Sequence, residues 1–263
     1  EEVDSIEEVQ SVLQTVGGAP MSIRAVRDDK TVQLTAQAVQ CGSDGQYKLG
    51  AWIRDSMAGI GTLTFCDPET GCFGALGHGI SDVDTAKLMP LQSGALLYSE
   101  VTDVQKGEKG APGELHGAFQ TQRELGQLSA NTAGGVFGTL TDKSLLQGLE
   151  PVPVASRGEV RTGEATILSN IAGDRVEEYT VEIVHLYPAN DSDTRNLMLK
   201  VTDPRLLEAT GGIVQGMSGS PILQNGKLVG AVTHVLVNDP TQGYGILAET
   251  MLSQAETAMG ENL

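Results

Sequence analysis

The sequence predicts a mainly β protein, and three observations lead there. Among 263 residues there are 33 glycines but only one Trp and four Phe, a balance that suits many short strands joined by tight turns better than a helical bundle. Short β-like runs separated by glycine-containing turns recur from Tyr47 onward. Asn225-Gly226 stands between two apolar runs, a strong signal for a two-residue hairpin. With 40% apolar content, a chain of this length can hold one large all-β domain, or that domain and part of a smaller one.

The elements follow in order. Residues 4–16 read as a helix: Asp4 or Ser5 can cap it, Glu8 lies three after Ser5, and Ile6, Val9, Val12, Leu13 and Val16 recur at helical spacing. Gly17-Gly18 stops it. Residues 20–27 and 31–39 alternate around Asp28-Asp29-Lys30 and predict a hairpin. Helix and hairpin together make a unit too small to be more than marginal alone. The stretch Cys41-Gly42-Ser43-Asp44-Gly45 reads as a turn or linker. Strands are then expected at residues 49–53, 61–65, 73–76, 95–104, 134–140, 164–169, 177–187, 196–202, 221–223, 228–237 and 243–248, and a final helix over 248–259.

Bulk charge excludes one class of partner. The formal charge is −17, with 34 acidic against 17 basic residues and no Lys/Arg-rich run, so a nucleic-acid backbone would be repelled. No apolar stretch of about 18 residues occurs, so no segment predicts a membrane span. There is no basic region followed by an apolar one at the N-terminus, and localisation is not legible there. Three cysteines at these spacings match no zinc site, and no metal or organic cofactor is called for. Cys66 and Cys72 flank the turn-forming run Asp67-Pro68-Glu69-Thr70-Gly71, which predicts a hairpin with the sulfurs facing across its neck. Either a disulfide or two packed thiols would suit that position.

Ser218 lies in Gly216-Met217-Ser218-Gly219-Ser220-Pro221, a glycine-bracketed turn followed by the Asn225-Gly226 hairpin. A serine nucleophile needs its hydroxyl on a tight turn, with main-chain N–H groups aimed at the oxygen that turns negative in the tetrahedral intermediate. The N–H groups of Gly216 and Ser218 suit that oxyanion hole. A nucleophile turn leading into a β-hairpin is the trypsin-like arrangement, whereas the G-x-S-x-G elbow of α/β-hydrolases is absent. The competing reading is a glycine-rich turn holding an ordinary serine.

A base is needed, and the chain offers His78, His116, His185 and His234. His78, between Gly77 and Gly79, has room to face a cleft, and it precedes the serine as in the chymotrypsin order. His185 falls in an alternating strand and His116 in a glycine-rich loop, contexts that do not argue for catalysis. Thr233, His234 and Val235 fall where a trypsin-like enzyme has the strand lining its specificity pocket, and are candidate substrate contacts. For the acid that orients the histidine, Asp203 before Pro204 is the first candidate and Asp82 its rival.

Gly59-Ile60-Gly61-Thr62-Leu63-Thr64-Phe65, Asp67-Pro68-Glu69-Thr70 and Gly74-Ala75-Leu76-Gly77-His78-Gly79-Ile80-Ser81-Asp82 resemble the stage IV sporulation protein B family of serine peptidases. So does the run from Thr210-Gly211-Gly212-Ile213-Val214-Gln215 through Ser218 to Gly230-Ala231-Val232-Thr233-His234-Val235 and Asn238-Asp239-Pro240. The resemblance, over roughly residues 46–252, implies a trypsin-like double β-barrel peptidase domain in residues 46–263 with His78, Asp203 and Ser218 as its triad. It implies that residues 1–45 are the C-terminal part of a PDZ-like domain, a helix plus hairpin without the carboxylate-binding loop. It also implies a secreted, extracytoplasmic peptidase between the two membranes of a sporulating cell. Such an enzyme processes itself and cleaves the extracytoplasmic part of a membrane-bound regulator, so that an intramembrane protease activates a sigma factor. The alternative is a catalytically dormant barrel that docks a membrane-associated partner.

Overall fold

The computed structural model describes residues 2–27, 30–188 and 194–260, so Asp28 and Asp29 of the first expected turn lie outside the described residues. The chain forms two compact units, Glu1–Gly59 and Ile60–Leu263.

The first unit opens with α1 (Ile6–Val16), capped by Ser5, whose Oγ accepts from Glu8 N–H at 3.2 Å. Glu8 Oε2 accepts from Asp4 N–H at 2.8 Å, one residue before the cap, rather than from Ser5 N–H as a full capping box would have it. Two antiparallel ladders follow: β1 (Pro20–Arg27) with β2 (Lys30–Gln37), and β3 (Val39–Gln40) with β4 (Tyr47–Lys48). The Gln14 side chain ties the helix to β4, donating to Tyr47 O at 3.1 Å and accepting from Tyr47 N–H at 3.2 Å. Residues 49–53 were expected as a strand and form none. They find no partner edge and bury little: Trp52 is 92% exposed.

In the second unit, β5 (Leu63–Cys66), β6 (Cys72–Ala75), β7 (Ala95–Gln105), β8 (Glu114–Thr132) and β9 (Gly135–Leu140) form an open sheet in the order β5-β6-β9-β8-β7. Next come β10 (Gly163–Asn170), β11 (Val176–Leu186), β12 (Leu197–Val201), α2 (Pro204–Thr210), β13 (Pro221–Gln224), β14 (Lys227–Leu236) and β15 (Asp239–Leu247). Their strands close a barrel in the order β10-β11-β12-β15-β14-β13. Period-two alternation fills it, with Ala165, Ile167, Tyr179, Val181, Ile183, Leu197 and Leu199 pointing inward. The C-terminal α3 (Ala248–Met259) sets Met251 and Ala255 among Phe137 of the sheet and Ala231 and Ile246 of the barrel. The unit is mainly β and pairs one closed six-stranded barrel with an open five-stranded sheet, so of the expected double barrel only the second half closes.

Two further elements depart from expectation. The 19-residue β8 carries a long exposed polar middle, so no apolar alternation announces it, and His116 sits on this strand rather than in a loop. The helix α2 occupies what Asp203-Pro204 suggested was a turn: Asp203 caps it and Pro204 begins it. The expected face-to-face cysteines are also corrected. The ladder sets Cys66 opposite Phe73, so strand alternation sends Cys72 to the other face, and both thiols are free. Burial pushes the Cys66 thiol up to about 11. Among the described residues, no helix is long and apolar enough to cross a membrane.

Candidate active site

The site is assembled where the open sheet meets the barrel. After β6, Leu76 and Gly77 both take positive φ, 68° and 69°, and reverse the chain so that His78 leaves the sheet. The turn packs so closely on the barrel that a Cβ on Gly77 would lie 2.9 Å from both Ile246 Cγ2 and Thr233 Cγ2. The following loop is clamped by Asn131 on β8, which accepts from Ile80 N–H at 2.8 Å and donates to the carbonyls of Ile80 (2.8 Å) and Met89 (2.9 Å). Nothing in the local sequence pattern pointed to Asn131, because the strand carrying it was itself illegible.

Ser218 sits on a turn locked from both sides. Its carbonyl accepts from Thr62 N–H at 2.8 Å, and Gly219 O accepts from the buried Thr64 hydroxyl at 2.8 Å. Gly219 N–H donates to Val232 O, and Val232 N–H donates to Ser220 O. Gly219 takes φ 92°, and a side chain there would start 2.1 Å from Thr62 O, so glycine is required. Among the described residues, the N–H groups of Gly216 and Ser218 donate to no protein acceptor, as an oxyanion hole demands.

His78 and Ser218 lean on consecutive residues of β14. The Ser218 hydroxyl donates to Thr233 O at 2.8 Å, and the His78 ring lies 4.9 Å, centroid to centroid, from the His234 ring, tilted by 39°. His78 Nδ1 is 3.0 Å from Gly79 O. A carbonyl can only accept, so that contact puts the proton on Nδ1 and leaves Nε2 with the lone pair a base needs. No hydrogen bond joins Ser218 to His78 in this state. Thr233 is buried, whereas His234 keeps solvent access and Val235 is half-buried. Protein crowding on one side of the His234 ring, with smaller contributions from His78 and Arg195, lowers its pKa to about 4.

The two candidate acids each have hydrogen-bond partners of their own. Asp203 is 4% exposed and fully engaged: it accepts from Arg205 N–H (2.9 Å), from the Arg205 guanidinium and from Thr180 N–H (3.2 Å). The Arg205 guanidinium beside it, helped by these N–H groups, holds its carboxyl at about 2. The barrel register aligns His234 with Tyr244 and Tyr244 with Met198. The described bonds of Asp203 join it to the start of α2 and to β11, and none of them reaches His78, whose Nδ1 meets the Gly79 carbonyl. Asp82 caps its own turn, accepting from Thr85 N–H and the Thr85 hydroxyl at 2.9 Å each. The remaining histidines are also remote from this chemistry in their contacts. The His185 ring rests edge-on against Tyr187 at 4.6 Å, and the main chain of His116 accepts from the Thr102 hydroxyl.

Such a site can perform acyl transfer once the Ser218 hydroxyl leaves Thr233 for His78. A family model described as SpoIVB peptidase S55 matches residues 45–252, well over half of the chain. The chain matches no curated protein sequence. It is similar to the solved structure of the Rv3671c protease from M. tuberculosis in its active form, at 12% identity and a TM-score of 0.44, over 100% of this chain and 90% of that one. It is also similar to the HtrA-type protease AlgW with tripeptide (14% identity, TM-score 0.39, 63% of this chain and 61% of that one). A third similarity is to Deg5 (13% identity, TM-score 0.38, 96% and 95%). The chain belongs to the SpoIVB peptidase S55 family of serine peptidases.

Proposed function

We propose that the chain is the endopeptidase of a sporulation signal, cleaving itself and the extracytoplasmic part of a membrane-bound regulator so that an intramembrane protease activates a sigma factor. The family supports the setting, between the two membranes of a sporulating cell. The observation that carries the catalytic part is the meeting of His78 and Ser218 on Thr233 and His234, with the N–H groups of Gly216 and Ser218 donating to no acceptor among the described residues.

In this reading Ser218 Oγ attacks the scissile carbonyl carbon while His78 Nε2 takes its proton. The N–H groups of Gly216 and Ser218 hold the oxyanion, and His78 returns the proton to the leaving amine. Water then hydrolyses the acyl-enzyme by the same route. His78 is oriented through Nδ1 by the Gly79 carbonyl, and Asp203 contributes by fixing α2. Thr233 is buried with its carbonyl engaged, so His234 and Val235 are the residues left to meet an extended peptide. In this reading the helix and hairpin of the first unit are PDZ-like elements whose part in the function is docking.

A second reading, a dormant barrel that docks a membrane-associated partner, is favoured by one observation: the Ser218 hydroxyl is bonded to Thr233 and not to His78. Fluorophosphonate labelling separates the two. Labelling of the native protein that disappears in Ser218→Ala and His78→Ala supports the peptidase. A folded native protein that takes no label supports docking. Cleavage of peptides covering the extracytoplasmic part of the regulator, lost in Ser218→Ala, tests the substrate.

A further inference from the structure

The β7–β8 hairpin extends from the open sheet onto the barrel, and its tip is fastened to the segment that leads into the nucleophile. Gly107 N–H donates to Thr210 O and Gly110 N–H to Val237 O, both at 2.8 Å, and Lys106 Nζ donates to Glu208 O at 2.9 Å. Two more bonds follow, at the residue just before Gly216. Gln215 N–H donates to Gly113 O, and Leu115 N–H donates to Gln215 O, each at 2.8 Å, forming a parallel bridge. The Leu115 side chain, 3% exposed, packs in the same core as Val214, before the turn, and Met217, within it. A Cβ on Gly216 would lie 3.0 Å from Leu115 Cβ.

The bridge acts on an oxyanion donor through the planarity of one peptide. Gln215 C=O and Gly216 N–H belong to the same trans unit and point in opposite directions. As long as Leu115 N–H holds the carbonyl, Gly216 N–H faces away from Leu115 and stays unpaired. A flip of that peptide would break the bond to Leu115 and turn the donor out of the site. Gly216, at φ 95°, is a residue whose backbone permits such a flip.

We propose that Gly113 and Leu115 at the β7–β8 tip are positioning residues for catalysis, holding the Gln215–Gly216 peptide in the orientation that aims Gly216 N–H at the oxyanion. The proposal rests on the peptidase reading of Ser218 given above.

Two variants test it. Gly113→Ala places a Cβ 2.2 Å from Gln105 O and 2.4 Å from Gly107 N, both main-chain atoms, so the tip must move. Replacing Leu115 by its α-hydroxy analogue, leucic acid, keeps the side chain, removes the N–H and weakens the Glu114 carbonyl as an acceptor. Expected is a fall in fluorophosphonate labelling rate and in kcat of about 10-fold or more, below the ~10²–10³ of losing an oxyanion donor outright, with KM nearly unchanged. The Gly216 amide resonance in 15N-labelled protein should shift in both variants, and that readout needs no turnover. An unlabelled native protein counts against the peptidase reading alone. A Gly216 resonance that stays in place in the folded leucic acid variant overturns this proposal, as does an equal effect on kcat and KM.

Discussion

The hydroxyl of Ser218 donates to the carbonyl oxygen of Thr233 at 2.8 Å, and Thr233 in turn donates through Oγ1 to Tyr244 O at 3.1 Å. The nucleophile thus rests on the strand that also carries His234. A neutral hydrogen bond of this kind contributes only about 1 kcal/mol, small enough for a bound substrate to outweigh. Ser218→Ala is therefore expected to abolish fluorophosphonate labelling while lowering unfolding free energy by no more than ~1 kcal/mol. Urea unfolding and probe labelling on the same preparation check both halves. A larger loss of stability would mean that the serine is chiefly structural.

Asp203 predicts a different pattern. It caps α2, pairs with Arg205 and accepts from Thr180 N–H on β11, so Asp203→Asn should cost stability, about 1–3 kcal/mol. It should slow labelling without abolishing it. Its folded pKa, about 2, lies below the ordinary 3.8, so the charged form is favoured by folding. The stability it supplies is complete above pH 3.8 and is lost as pH falls through about 2. Asp203→Asn should flatten the acid limb of the stability curve in that window. Abolished labelling in a variant of native stability would return Asp203 to the triad.

What the sequence revealed and what it hid divide along physical lines. The turns that carry Ser218 and His78 were legible because tight and reversing turns require glycines, and Gly77, Gly216 and Gly219 do adopt positive φ. The Asn225-Gly226 turn was legible for the same reason, with φ of 53° and 75°. Hidden were the features set by tertiary pairing. The long polar middle of β8 has no apolar period, so its Asn131 clamp and the tip that grips Gln215 left no local mark. Asp-Pro reads equally as a turn or as a helix start, and only the following buried Leu206 decides for α2. Cys66 and Cys72 looked opposed because the hairpin was legible while its register was not.

His234 supplies a pH window of its own. The fold lowers its pKa from 6.5 to about 4, so the unfolded chain binds the extra proton between those values. Its contribution is complete above pH 6.5 and is lost as pH falls toward about 4. Stability measured by thermal melting should decline across that range, and His234→Gln should decline less. If the native and variant profiles run parallel, the ring is not shielded as the packing against His78 requires.

Asn131 offers the most direct check on how the base is held. One carboxamide satisfies an N–H and two carbonyls from the loop that follows His78, at 2.8–2.9 Å. Asn131→Ala leaves these three groups without their partner, at a cost of about 1–3 kcal/mol, and frees the loop through Met89. Asn131→Asp keeps the acceptor for Ile80 N–H but has no donor for the carbonyls of Ile80 and Met89, setting a carboxylate against two oxygens. Both variants should label more slowly than the native protein, and Asp should not rescue Ala. Faster hydrogen exchange confined to residues 79–89 would locate the effect in the loop. Unchanged exchange there, alongside slower labelling, would mean that Asn131 acts on the site by some path other than this clamp.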